Sequence, residues 1–183
     1  MIIEHKENIS SDFQGTIIDI ETIGNFSNNY PPNDSRRYKD IKQVIFGYIN
    51  KECLHILCAA GTEAIDALKA RIKETIDSLE KPLYAFNCDF ERGVLFHHLN
   101  IELHFDGELN AEKYERKADV IRYLDIDNYD DPFYDNGKLC LIAWERGEFD
   151  KAIAHNRACL LKEKDILVKR NFRKPDELIL IKN

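Results

Sequence analysis

Hydrophobic residues in this chain recur at two different periods, and the changes between them mark its elements. Residues 15–21 carry Ile17, Ile18 and Ile20 in a β-branched run that predicts a strand. Residues 25–40 hold Asn28-Asn29, Pro31-Pro32 and Asn33-Asp34, which reads as a loop rich in turn formers. Residues 42–49 and 53–59 are apolar runs on either side of Asn50-Lys51-Glu52, a hairpin signal. The period then lengthens. Gly61-Thr62 opens a helix with Thr62 as N-cap, and Ile65, Leu68, Ile72, Ile76 and Leu79 fall on one stripe until Pro82 stops it.

Residues 83–86 read as a short buried strand, residues 90–99 as a helix, and 101–109 as ambiguous, with a strand as one reading. Residues 111–122 are weakly helical. The acidic stretch 125–136, holding Tyr129, Pro132, Phe133 and Tyr134, reads as a loop. A short helix over 137–146 ends at Gly147, and Asp150 caps a longer one running to about Arg170. In the tail, Leu178 to Ile181 either add a strand or pack on the core. A three-stranded meander followed by alternating helices and strands implies an α/β fold with a mixed central sheet flanked by helices.

Composition narrows the picture. With 183 residues, 44% of them hydrophobic, the chain is long enough to bury a substantial core as one domain over 1–183. A net charge of −7 and the lack of a long basic run argue against binding polyanions by bulk electrostatics, but leave room for an enzyme whose acids hold metal. Cys53, Cys58, Cys88, Cys140 and Cys159 are odd in number and show no CxxC zinc pattern, so they read as buried thiols in a reducing compartment. No apolar run approaches the ~18 residues of a membrane span and the first residues lack a signal-peptide core, so the expectation is a cytoplasmic protein with no membrane contact.

The candidate chemistry lies in acids that interrupt apolar segments. Asp19 and Glu21 are two apart in a strand and so share one face. Burying two carboxylates side by side costs several kcal/mol unless a cation neutralises them, which points to a divalent metal. In YAFNCDFERGVLFHHL, residues 84–99, a buried strand leads through Asn87 into a helix bearing Asp89 and Glu91 in its first turn. Helix capping by Asn87 or Asp89 explains them as well as a metal does. In the last helix His155, Cys159 and Glu163 advance by about 40° per four-residue step and share one flank. Lys162, Glu163, Lys164 and Asp165 can equally form a solvated charged face. His97 and His98 lack a third zinc ligand, and Trp144 fits the core better than a stacking platform.

Together these segments resemble the DEDD exonucleases of the ribonuclease H-like superfamily, especially the compact YprB-like ribonuclease H domains. IIDIET resembles the first motif, NCDFERGVL the second and IAHNRACLL the third, in the family's order across nearly the whole chain. The resemblance implies a ribonuclease H-like fold and a metal-dependent 3′–5′ exonuclease that cleaves single-stranded DNA or RNA with two Mg²⁺ or Mn²⁺ ions about 4 Å apart. It makes Asp19 and Glu21 metal ligands and places the second motif's acid at Glu91, with Asp89 as second choice. His155 takes the first position of the third motif, as the residue that orients or deprotonates water. The family's last acid falls on Cys159. Glu163, one turn further along the same flank, is the replacement ligand, with Asp165 ranked below it because six residues turn it away.

The partner so implied is the 3′ end of a single strand. Asn87, Arg36, Arg37 and Tyr38 are the candidates for contacting it, arginines on phosphates and aromatics on bases. An ordinary surface loop at 30–38 and a capping Asn87 are the alternatives. Two other classes remain open: a catalytically impaired ribonuclease H-like module that binds nucleic acid or a partner protein, and an unrelated α/β protein or phosphohydrolase.

Overall fold

A computed structural model of the protein describes residues 1–182. It is an α/β structure built on a six-stranded mixed sheet. The strands are β1 (Ile2–Asn8), β2 (Thr16–Ile23), β3 (Lys42–Ile49), β4 (Cys53–Ala59), β5 (Leu83–Ala85) and β6 (Gly107–Glu108). They lie in the order β1-β4-β3-β2-β5-β6. The β2–β3–β4 meander and β1 pair antiparallel, whereas β2–β5 and β5–β6 are parallel. The helices are α1 (Ile65–Ile76), α2 (Cys88–Val94), α3 (Lys117–Tyr123), α4 (Gly137–Glu145) and α5 (Phe149–Arg170). One continuous hydrophobic cluster joins them.

The predicted meander, the first long helix and the last two helices form where the periodicity placed them. Ile65, Leu68, Ile72 and Ile76 are the buried stripe of α1. Its start differs. Thr62 begins a short 3₁₀ turn, Thr62–Ala64, without a side-chain cap, and Leu79 lies beyond the helix, packed on the core. Asp150 sits in the first turn of α5, where its charge suits the helix dipole, and Glu148 holds the N-cap position. The helix expected over 90–99 begins at Cys88 and widens into a π-helical turn, Leu95–Leu99. Of the ambiguous 101–109 segment, only Gly107 and Glu108 join the sheet.

The N-terminal strand is new. Ile2–Asn8 pairs with β4 along its whole length, from Ile2 opposite Ala59 to Asn8 opposite Cys53. Its Glu4, Lys6 and Glu7 give it the charged look of an edge strand, which blunts pairing with other chains and also hides the strand from a hydrophobicity reading. The tail supplies two isolated bridges, Arg173 with Glu108 and Ile179 with Asp34, and buries Leu178. Trp144 is buried and donates its indole N–H to the Ala59 carbonyl at 2.7 Å.

Two features bring α5 against the sheet at the right place. Asp19 lies opposite Gly47 in the β2–β3 ladder. Gly47 has no side chain, and a Cβ there would meet Asn156 Oδ1 of α5 at 2.1 Å and Leu160 Cδ1 at 2.9 Å. The bare backbone at Gly47 therefore lets α5 settle beside Asp19. β2 and β5, being parallel, also end at the same edge of the sheet, so the residues after Ala85 emerge next to the acids of β2. Crevices at the carboxyl ends of parallel strands are where α/β sheets place their ligands. Gly47→Ala is expected to displace Asn156 and lower stability by about 1–3 kcal/mol through overpacking, read as a shift in the urea midpoint.

Candidate metal centre

A cavity of about 220 Å³ opens at this edge, lined by Asp19, Glu21, Glu91, Lys117, His155 and Cys159 among others. Asp19 comes from β2, Glu91 from α2, Lys117 from the first turn of α3, and His155 and Cys159 from α5. Glu163, fully buried one turn beyond Cys159, reaches the same charges from below.

Asp19 is held on both oxygens. Asn156 Nδ2 donates to Oδ2 at 2.7 Å, and Lys117 Nζ donates to Oδ1 at 3.2 Å. The same ammonium pairs with Glu163 Oε1. Glu91 Oε2 is buried and has no hydrogen-bond partner among the described residues. Burial, then the charges of Asp19 and Glu163, pushes Glu91 well above the ordinary carboxylate range. Burial raises Glu163 too, with Lys117 opposing and Asp19 adding. Glu21 is pushed up to about 7, chiefly by burial and further by Asp19 and Asp131, against the pull of His155. Burial works against the charge on Lys117, but Asp19 and Glu163 outweigh it and hold the ammonium charged. Several acids thus compete for one lysine. Glu21, Glu91 and Glu163 are short of positive charge, and a bound cation would restore their ionised forms.

His155 belongs to a second, connected network. Its Nδ1 is 2.8 Å from Asp131 Oδ1 and its Nε2 is 3.5 Å from Glu21 Oε1. Asp131 also accepts from the backbone N–H of Phe133 and of Asp135, and from Lys162 Nζ at 2.8 Å. Lys162, fully buried, donates further to Asp135 at 2.8 Å and Asn128 at 3.2 Å. Burial disfavours the ionised Asp131, yet His155 and Lys162 outweigh it and hold the carboxyl far below its usual range. The His155 charge is favoured in turn: burial opposes it, and Cys159, Asp131 and Glu21 prevail.

The structure therefore gathers Asp19, Glu21, Glu91, His155 and Glu163 in one place. The second choices go elsewhere. Asp89 pairs with Lys113 at 3.0 Å, and Asp165 accepts from the Tyr129 hydroxyl and pairs with Lys164. Asn87 is exposed, borders the cavity and holds the N-cap position of α2, accepting from the Phe90 N–H through its backbone carbonyl but making no side-chain cap bond.

The 30–38 segment needs correcting as a contact surface. Tyr38 is buried against Gly93 and Phe90, so its ring faces no base. Arg36 is spent on a bidentate pair with Asp34 and stacks on Tyr30. Arg37 is half-buried near Phe26, and neither arginine lines the cavity. His97 and His98 hydrogen-bond to Ser35 Oγ and the Gln43 backbone N–H.

Sequence reasoning missed Lys117, Asp131 and Lys162. Lys117 and Asp131 sit in segments read as weakly helical and as solvated loop, and nothing local marks them. Lys162 had a signal: it follows His155 by seven residues, two helical turns, and so shares its face. Asn156, which follows His155 in the third motif, is the side chain that orients Asp19.

Comparison with protein families, with curated proteins and with solved structures finds no match to this chain. No helix among the described residues is long and apolar enough to cross a membrane.

Asp131→Asn removes one counter-charge of the buried Lys162. Stability is expected to fall by about 3 kcal/mol, the low end for breaking a buried pair because Asp135 still faces Lys162. Since Asp131 is depressed in the folded state, its contribution is complete above about pH 4 and fades as the pH falls further. Urea titrations across that range should show a steeper acid loss in the parent protein than in the variant.

Proposed function

We propose that this chain is a metal-dependent nuclease of ribonuclease H-like fold that removes nucleotides from the 3′ end of a single strand. The observation that carries the reading is the pairing of Asp19 and Glu163 with one ammonium at the shared end of β2 and β5, with the unpartnered Glu91 carboxylate buried beside them. The strand order supports the fold assignment, with an antiparallel meander beside parallel strands and the first acid in the central β2.

The donor set fits divalent cations. Asp19, Glu91 and Glu163 offer hard oxygens of the kind Mg²⁺ and Mn²⁺ take, and they are short of positive charge. When bound, such ions activate water and stabilise the departing 3′ oxygen. The chain's own residues prepare the site for this. Asn156 fixes the Asp19 carboxylate, so its second oxygen points toward Lys117 and the cavity. Asp131 holds His155 by Nδ1 and aims Nε2 at Glu21, the geometry of an imidazole that passes or holds a proton at Nε2. Asn87, exposed at the rim, supplies a hydrogen-bonding group for a phosphate or sugar. Protection of the buried floor from water rests on Phe86 and Phe90, which line the same cavity.

A second reading has one specific observation in its favour. Lys117 already neutralises Asp19 and Glu163, as expected of a nuclease-fold module that binds nucleic acid without cutting it. The two readings divide on whether a cation can displace that lysine.

Calorimetric titration with Mn²⁺ is expected to show binding that Asp19→Asn abolishes. Asn156→Ala, which removes only the orienting partner, should weaken it by about 10–100-fold. A 5′-labelled single strand should shorten as a ladder in the presence of Mn²⁺. An intact strand that stays bound favours the non-cutting module, and no binding of metal or strand sinks both readings. Lys117→Met removes the resident competitor and should tighten Mn²⁺ by at least about tenfold, equivalent to ~1.4 kcal/mol.

A further inference from the structure

Beside the oxygen-rich part of the cavity lies a donor set that hard ions leave unused. Glu21 of β2, Cys140 of α4 and His155 of α5 each bring a ligand atom within 4.8 Å of the other two. His155 Nε2 is 3.5 Å from Glu21 Oε1 and 3.7 Å from Cys159 Sγ. The Glu21 separation is long for a hydrogen bond and matches the edge of a tetrahedron: metal–ligand bonds of about 2.0–2.3 Å place neighbouring ligands roughly 3.3–3.7 Å apart. The Cys159 contact is a weak hydrogen bond to sulfur bordering the site.

His155 is also prepared as a ligand. Asp131 occupies Nδ1 at 2.8 Å, leaving Nε2 as the nitrogen aimed at the site. This carboxylate–imidazole pairing is the usual support of a metal-bound histidine. The donor types then select the ion. Mg²⁺ binds oxygen, whereas thiolate and imidazole together suit zinc and ions like it.

We propose that Glu21, Cys140 and His155 form a three-ligand site for a zinc-class divalent cation, with the fourth position open to the cavity beside Cys159. The proposal deepens the nuclease reading by naming the ion next to Glu21, makes His155 Nε2 a ligand in place of a proton carrier when that ion is bound, and rests on that reading only for the use of the ion. Loading exchanges protons for metal. The Cys140 S–H bond breaks as the sulfur–metal bond forms, the Nε2 proton leaves likewise, and both protons go to solvent. No electrons change hands.

Cobalt(II) is the probe, because it takes zinc positions and absorbs when thiolate binds it. Titration of the full chain is expected to give a sulfur-to-cobalt charge-transfer band that saturates at one equivalent and is displaced by zinc. Cys140→Ser should remove the band, whereas Cys53→Ala, on the distant β4, should keep it. Should Cys140→Ser fail to fold, X-ray absorption of the zinc-loaded Cys159→Ala protein gives the same answer: a sulfur at about 2.3 Å that persists without Cys159 supports the site. Cobalt binding without sulfur in either measurement overturns the proposal and leaves the nuclease reading standing. No binding of cobalt, zinc or manganese overturns both.

Discussion

Everything at the business end of this molecule depends on finding positive charge for buried carboxylates. Asp19, Glu91 and Glu163 come from a strand and two helices far apart in sequence, and each would be costly to bury ionised and alone. Lys117 is the chain's own answer, an ammonium set between Asp19 and Glu163. One lysine does not satisfy them all, and burial leaves Glu91 and Glu163 well above their ordinary range. A fold optimised only for stability has no reason to assemble so many acids. The surplus negative charge is the strongest physical argument for a cation as ligand, since a site that binds a charge must first tolerate its absence.

The scaffold that holds this arrangement is economical. Gly47 lacks a side chain, α5 moves in, Asn156 reaches the Asp19 carboxylate, and the same helix presents His155, Cys159 and Glu163 along one flank. The flank is then locked from outside. The 125–136 loop folds back so that Asp131 grips both His155 and Lys162, and backbone N–H groups of Phe133 and Asp135 complete its shell. A loop of charged and turn-forming residues thus forms a wall of the site, with both oxygens of its central acid hydrogen-bonded and Asp135 lining the cavity.

Two kinds of donor meet in the cavity. Asp19, Glu91 and Glu163 supply oxygen, with the Cys159 sulfur beside Asp19; around Glu21 there are the His155 imidazole and the Cys140 and Cys159 sulfurs. A nuclease reading accounts for the first half and for the exposed Asn87 at the rim. The resemblance to DEDD exonucleases expects an acid where Cys159 stands, and Glu163 reaches the same charges from one turn further on. The sulfur becomes intelligible if the neighbouring position takes a softer ion.

Local pattern was enough to locate most elements. Continuous apolar runs marked β2, β3 and β4, the 3.6-residue stripe marked α1, and the two-apart spacing put Asp19 and Glu21 on one face. The spacing of His155, Cys159 and Glu163 likewise predicted a common flank, because helix geometry is set by the backbone alone. What escaped were features with no local period. β1 is an edge strand with charged side chains, held by backbone pairing with β4. Tyr38 looked like a surface aromatic and is a core residue under α2, while Asp131 looked like a solvated charge and is a buried partner of His155, and Lys117 is a half-buried partner of Asp19. The amino-acid sequence by itself determined which residues share a face. Only the tertiary structure decided which charge answers which, because pairs such as Asp131 with His155 and Asp19 with Lys117 join residues 24 and 98 positions apart and leave no periodic trace in the chain.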